Sequence, residues 1–284
     1  TGGVDRDSCR RRQHAAADSD YERFSNDGAA YHPSYLLHIH QRLPEFHLTP
    51  ADLNLKKAWM GSEPHSENTR LKLQNLFGID IYNSYGLSEM NGPGVAFECV
   101  YKNDMHVWED GYLIEIINPQ TGEPAEEGQE GEVVFTNLIR HAMPLLRYRT
   151  RDLAFLHPEP CPCGRTSRRM SRITGRTDDM LIINGVNVFP SQIEEVLMSI
   201  PEVGTNYQIH LSRHEGLDRL TVKVELYSKL FTGDLSHLES LKTRINDKLR
   251  ASITINSRIE LHEPGSLPAF EGKAKRVVDE REKL

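Results

Sequence analysis

Two groups of residues in this chain have the types and spacing that chemistry needs. The first is "YNSYGLSEMNGPG", residues 82–94, which sets Ser88 and Glu89 among Gly86, Gly92, Gly94 and Pro93 directly after the apolar stretch "IDIY". A hydroxyl and a carboxylate in such a turn suit a nucleotide, with Ser88 on a phosphate oxygen and Glu89 on the metal that travels with it. A loop whose acid is simply solvated is the competing reading, and spacing alone leaves both open. The second group is Cys99 and His106 on "CVYKNDMH" with Cys161 and Cys163 on "CPC". Three thiolates and one imidazole make the closed tetrahedral set that structural zinc prefers, with no open catalytic position. The alternative is a buried Cys99 acting as a small hydrophobe and "CPCG" as a free-thiol turn.

Bulk properties narrow the partners. A net charge of −7 argues against a nucleic-acid partner held by phosphate electrostatics, although "RTSRRMSRITGR" at 165–176 is a basic patch fit for a small polyphosphate. Mean hydropathy is −0.54 and no apolar run approaches a membrane span, so a soluble cytoplasmic protein is expected. Four cysteines in 284 residues are too few for a disulfide scaffold, and metal binding is the usual use of such a cluster inside a cell.

Patterning predicts the elements that must hold these residues. Residues 1–31 hold almost no large aliphatic side chains and read as an atypical, disordered segment. A helix is expected at 34–43, a strand at "LNLKKAWMGSEP", a helix at "SENTRLKLQNLFG" closed by Gly78, and a strand at "IDIYNSYG". From 111 to 155 the pattern turns to β. The last hundred residues read as a separate unit in the order β-α-β-β-α-β, a ferredoxin-like α+β sandwich that starts with "DDMLIING". Its first helix would open with a capping box, Ser191 to Glu194, and its second carries Leu235, Leu238, Leu241, Ile245 and Leu249 on one stripe.

Several motifs then fall in one order: "MGSEP", "YNSYGLSEMNGPGVAFEC", "LLRYRTRDL", "ITGRTDDMLIINGVNVFPSQIEEVL" and "EGKAKRV". The series resembles the adenylate-forming acyl- and aryl-CoA ligases, and within them the phenylacetate–coenzyme A ligases, over about residues 31–281. The resemblance implies residues 32–177 as the α/β and β remainder of a large adenylate-forming N-terminal domain, and 178–284 as a small mobile α+β C-terminal domain. It implies ATP- and magnesium-dependent activation of a small carboxylate to an acyl-adenylate, then transfer to coenzyme A, and it is compatible with a homodimer.

Residue roles follow from the same likeness. Gly61, Ser62, Glu63 and Pro64 would line the adenine, with Asn83 and Ser84 at its edge, Tyr85 against its face and Gly86 beside it. Ser88 would touch the α-phosphate and Glu89 the magnesium. Asp152 would accept the ribose hydroxyls, and Arg176 would lie over ribose and phosphate. Lys273 would reach the carboxylate and α-phosphate oxygens as negative charge grows there, while Lys275 points away. Asp178 would be the hinge about which the small domain turns between the two half-reactions. The family's serine/threonine/glycine-rich loop for the outer phosphates would lie upstream of residue 1. A nucleotide-binding remnant or non-enzymatic interaction module is therefore the alternative function.

Overall fold

The computed structural model describes residues 28–90, 92–227, 235–268 and 276–281. Most of residues 1–31, and both Lys273 and Lys275, lie outside the described residues.

The chain enters through strand β1 (Gly28–Tyr31), which pairs in parallel with β2 (Lys57–Met60). This corrects the expectation that structure begins after residue 31. "GAAY" has little to bury, but it pairs in register along β2, and glycine at its start leaves room for Trp59, whose ring a Cβ on Gly28 would meet at 2.8 Å. Helix α1 (Pro33–Arg42) and helix α2 (Glu67–Phe77) cover the sheet. Ser66 caps α2 by accepting from Thr69 N, and Gly78 closes it at φ +66°, a conformation that glycine adopts without strain. Leu36, Leu37, Leu73 and Phe77 of the helices pack on Ala58, Met60 and Ile81 of the strands.

β3 (Asp80–Leu87) and β4 (Gly92–Glu98) form an antiparallel hairpin over a short 3-10 turn, Ser88–Met90. Gly86, Gly92 and Gly94 therefore belong to strands rather than to an open glycine loop. At Gly94 the reason is close packing, because a Cβ there would strike the Phe97 ring at 2.3 Å. β5 (Met105–Val107) and β9 (Arg169–Met170) complete a six-stranded sheet in the order β1-β2-β3-β4-β5-β9. A second sheet, antiparallel, runs β10-β8-β7-β6, from β6 (Tyr112–Ile117), β7 (Gly131–Asn137), β8 (Tyr148–Ala154) and β10 (Gly175–Arg176). Tyr85, Met90, Ile114, Val133, Phe135 and Met170 form one buried cluster between these elements.

The C-terminal unit has its own core. Helix α3 (Pro190–Met198) and helix α4 (Leu235–Ile253) pack on the sheet β15-β14-β13-β16, built from β13 (Val203–His214), β14 (Leu217–Leu226), β15 (Ser257–His262) and β16 (Val277–Asp279). Leu220, Val222, Val224 and Leu226 of β14 meet the α4 stripe of Leu241, Ile245 and Leu249, all buried. The strand expected at "DDMLIING" is displaced from that sheet. Leu181–Ile183 instead pairs with Val186–Val188 as a hairpin, β11–β12, because Asn184 and Gly185, at φ +49° and +83°, form the two-residue turn that favours local pairing. The edge place beside β13 goes to β16, which runs parallel to it.

The expected capping box is also corrected. Helix α3 starts at Pro190, so the reciprocal bond is Phe189 N to Gln192 Oε1 at 2.9 Å. Ser191 Oγ donates to Thr174 O, and Glu194 faces the first unit instead.

Candidate functional site

A cleft of about 430 Å³ opens between the β2–β3 edge, the end of β8 and β10. Ser62, Glu63, Pro64, Asn83, Ser84, Tyr85, Gly86, Asp152 and Arg176, all named from sequence, line it together. Gly61 stands just behind. A Cβ there would meet Ser84 O at 2.4 Å and its hydroxyl at 2.7 Å, so only glycine lets the two loop ends close up. Ser62 follows at φ +65°, a conformation costly for a non-glycine residue.

Asp152 is the electrostatic centre. Tyr85 OH donates to its Oδ2 at 2.6 Å, and Arg176 Nη1 to its Oδ1 at 2.8 Å. Burial pushes the Asp152 carboxyl up, and the hydroxyl and guanidinium oppose that shift. Tyr85 is itself raised well above its ordinary value, first by burial and then by the Asp152 charge, so it stays a donor. Its ring stacks on Phe135, with centroids 6.1 Å apart, so Tyr85 braces the aspartate from the core. Arg176 makes a two-pronged pair with Asp178, 2.9 Å at each prong, which holds the guanidinium well above its ordinary range. The residue expected as hinge thus neutralises a cation of the cleft.

The Glu63 carboxylate accepts from Ser34 Oγ at 2.6 Å and Ser34 N at 3.1 Å, at the first turn of α1. Asn83 is almost fully buried. Its backbone N and Nδ2 donate to Glu98 at 2.8 and 2.7 Å, and its Oδ1 lies 2.7 Å from His65 Nε2. Ser88 and Glu89 do not line this cleft. They sit at the end of β3, where Arg140 Nη1 donates to both of their carbonyls, at 3.2 and 2.6 Å. The Tyr148 phenol, raised mainly by burial, also faces Glu89.

Sequence reasoning missed His65 and Asp179 on the cleft wall, and it named Arg172 only as part of the basic patch at 165–176. His65 directly follows the "GSEP" stretch, which was its only signal. Lys273 lies outside the described residues, but Arg276, the first described residue after it, lines a larger cavity of about 600 Å³ between the two units. The Arg276 guanidinium lies 4.2 Å over the Tyr207 ring there.

The sulfur cluster assembles from separate elements. Cys99, His106, Cys161 and Cys163 place their ligand atoms within 4.8 Å of one another, the first three buried. Cys99 Sγ and Cys161 Sγ are 3.7 Å apart, and Cys163 Sγ is 3.3 Å from His106 Nε2. Tetrahedral zinc with ordinary bond lengths would set these edges at ~3.8 Å and ~3.6 Å. Burial lowers His106, which keeps the imidazole neutral as a ligand requires. Backbone hydrogen bonding at Arg165 leads the causes that lower the Cys163 thiol to about 7, while burial raises Cys99. The donor set and its spacing fit zinc.

The two units meet along α2 and α3. Glu194 Oε1 accepts from Thr69 Oγ1 at 2.5 Å and Ser66 N at 3.2 Å, and its Oε2 from Tyr207 OH at 3.1 Å. Asn68 Nδ2 reaches Glu195 O at 3.0 Å and Oε1 at 2.8 Å.

With this geometry in hand, the likeness to known proteins is specific. Residues 185–281 match the family described as the AMP-binding enzyme C-terminal domain. The phenylacetate–coenzyme A ligase of Thermus thermophilus is 43% identical over 263 residues, covering 88% of this chain and 59% of the relative. That of Escherichia coli K12 is 40% identical over 262 residues, covering 91% and 59%. The chain thus spans under two-thirds of the length of these relatives. The crystal structure of 2-hydroxyisobutyryl-CoA ligase in the postadenylation state, in complex with R3-HIB-AMP, superposes with a TM-score of 0.85 at 26% identity, over 98% of this chain and 58% of that one. The same ligase in the thioesterification state gives only 0.54, at 27% identity over 99% of this chain and 58% of that one. At nearly equal coverage, the arrangement of the two units here is closer to the first of these structures than to the second. On this sequence identity and superposition, the chain is a relative of the phenylacetate–coenzyme A ligases, among the adenylate-forming CoA ligases.

Proposed function

We infer that this chain serves the ATP-dependent activation of an aryl or acyl carboxylate of phenylacetate type to an acyl-adenylate, which then passes to coenzyme A as a thioester with release of AMP. The observation that carries this is the Asp152 arrangement. A buried carboxylate held by Tyr85 and Arg176 in the lining of a cleft of about 430 Å³ is fit to accept two ribose hydroxyls. The adenine falls to Gly61, Ser62, Glu63, Pro64, Asn83, Ser84 and Gly86, with Tyr85 as wall and brace, and Arg176 lies over ribose and phosphate. Ser88 is assigned the α-phosphate. Glu89 offers hard oxygen ligands for magnesium, which would neutralise phosphate charge. Lys273 is assigned the developing charge of adenylation, and Asp178 the hinge. Small-molecule partners, rather than nucleic acid, suit the net charge of −7. Among the described residues no helix is long and apolar enough to cross a membrane, and we place the reaction in the cytoplasm.

Cys99, His106, Cys161 and Cys163 would hold a structural zinc. All four positions are filled by protein, so the metal would supply rigidity: it would tie the end of β4 to the segment after β8, whose strand carries Asp152.

ATP–pyrophosphate exchange with phenylacetate, alongside calorimetric titration with AMP, tests the reading. Exchange that depends on the carboxylate is expected. AMP binding without exchange would favour the non-enzymatic module, and absence of AMP binding would overturn the nucleotide site itself.

A further inference from the structure

One buried acid in the first unit is used by neither the fold's core nor the roles above. Glu98 ends β4 with its side chain buried. Pairing of Ser84 with Phe97 sets Glu98 across from Asn83 in the hairpin. Its two oxygens take the two amide donors of that one residue. Oε2 accepts the backbone N–H at 2.8 Å, and Oε1 accepts Nδ2 at 2.7 Å. The Asn83 amide is thereby oriented, with Oδ1 toward His65 Nε2 at 2.7 Å. His65 Nδ1 in turn lies 2.9 Å from the Glu63 carbonyl. Glu63, His65 and Asn83 all line the cleft; Glu98 does not.

We propose that Glu98 is a positioning residue for the nucleotide cleft: acting through the Asn83 amide, it fixes the direction of a hydrogen-bond chain that ends in the His65 ring on the cleft wall. The proposal rests on the nucleotide reading of the cleft. The logic is one of donors and acceptors. An amide side chain can present either end, and only an acceptor facing Nδ2 decides which. A carboxylate is acceptor-only, so it selects Nδ2 and leaves Oδ1 for the histidine. His65 then donates from Nε2 to Asn83 Oδ1, with the Glu63 carbonyl opposite its other nitrogen. A wall fixed in this way meets a ligand without first having to reorganise. The residue after Glu98 is Cys99, so the same strand end serves the thiolate cluster and the cleft.

The substitution Glu98→Gln keeps the shape and reverses the polarity. Its single oxygen must face the backbone N–H of Asn83, which cannot turn, so its amide nitrogen faces the Asn83 side chain. Asn83 must then present Oδ1 to the glutamine and Nδ2 to His65, whose Nε2 gives up its proton.

The experiment is ¹⁵N NMR of the His65 ring in the nucleotide-free chain, with titration of AMP into parent and variant. The parent should show a protonated Nε2, and Glu98→Gln a bare one with AMP affinity reduced ~10-fold, the scale of one charge-assisted hydrogen bond. In an Asn83→Ala background the Glu98→Gln change should have no further effect on AMP. A bare Nε2 in the parent overturns the proposal without any variant. So does unchanged AMP affinity in Glu98→Gln, or an equal loss in the Asn83→Ala background. If the parent binds no AMP, the nucleotide reading fails, and the role of Glu98 in the cleft falls with it even where the ring signals bear out the chain's polarity.

Discussion

Replacing Glu194 should loosen the two units from each other while leaving each folded. The carboxylate is buried at the seam and takes donors from both sides: Thr69 Oγ1 and Ser66 N from the first unit, Tyr207 OH from its own. Glu194→Ala leaves the Ser66 amide and the Thr69 hydroxyl facing a void in the closed arrangement. Hydrogen bonds to a charged group contribute about 1.5–3 kcal/mol each, and opening returns some of that to water in the parent. The Asn68 contacts with Glu195 persist in the variant. A net shift of about 2 kcal/mol toward the open arrangement follows, or about 30-fold in population. Glu194→Gln, with one acceptor oxygen left, should shift it less. A pair of spin labels, one on each unit, reads this shift directly, because the distance between them lengthens only on opening. The open share should grow by about the same factor, while the Leu73 amide inside α2 keeps its protection against hydrogen exchange. An unchanged distance distribution in a folded Glu194→Ala protein would refute the reasoning, since the seam would then be held by something else.

Two further outcomes are expected. Protein purified without added zinc should carry about one zinc per chain, and Cys161→Ser should lose it and melt at lower temperature; metal analysis well below one per chain, with unchanged melting, counts against the site. The second concerns Lys72, which donates to Val203 O and lies 5.2 Å from the Tyr227 ring, across the seam. Burial lowers its pKa from 10.5 to about 8, so between those values the unfolded chain holds the extra proton. The Lys72 contribution to stability should therefore rise with pH from about 8 to 10.5, by about 1–2 kcal/mol relative to Lys72→Met. A pH-independent difference between the two proteins in chemical denaturation would contradict this.

Much of the site was legible in the residues because its parts are local. "GSEP" and "YNSYG" announce a close approach of two strand ends, and Gly61 beneath Ser84 is that approach in physical form. The period-two run in β14 and the stripe of α4 were readable because one apolar face must be buried, whatever the partner. The sulfur set could be named from residue types alone, since few groupings of three thiols and an imidazole have another use.

Tertiary structure decided what depends on partners distant in sequence. Glu194 looked like a helix cap, three residues after a serine, yet its donors come from Ser66 and Thr69 in the other unit. Glu98 had no signal at all, since its meaning is the residue across the hairpin. "GAAY" lacks the bulk that marks a strand, and it pairs because β2 offers its backbone edge, with Gly28 leaving room for the Trp59 ring. "DDMLIING" reads as a strand either way, but its turn dipeptide closes it on its own neighbour before the sheet can take it. Local pattern sets which residues are apolar, bent or charged. The direction each one faces is set by the sum of its contacts, and for these four segments those contacts exist only once the chain has folded.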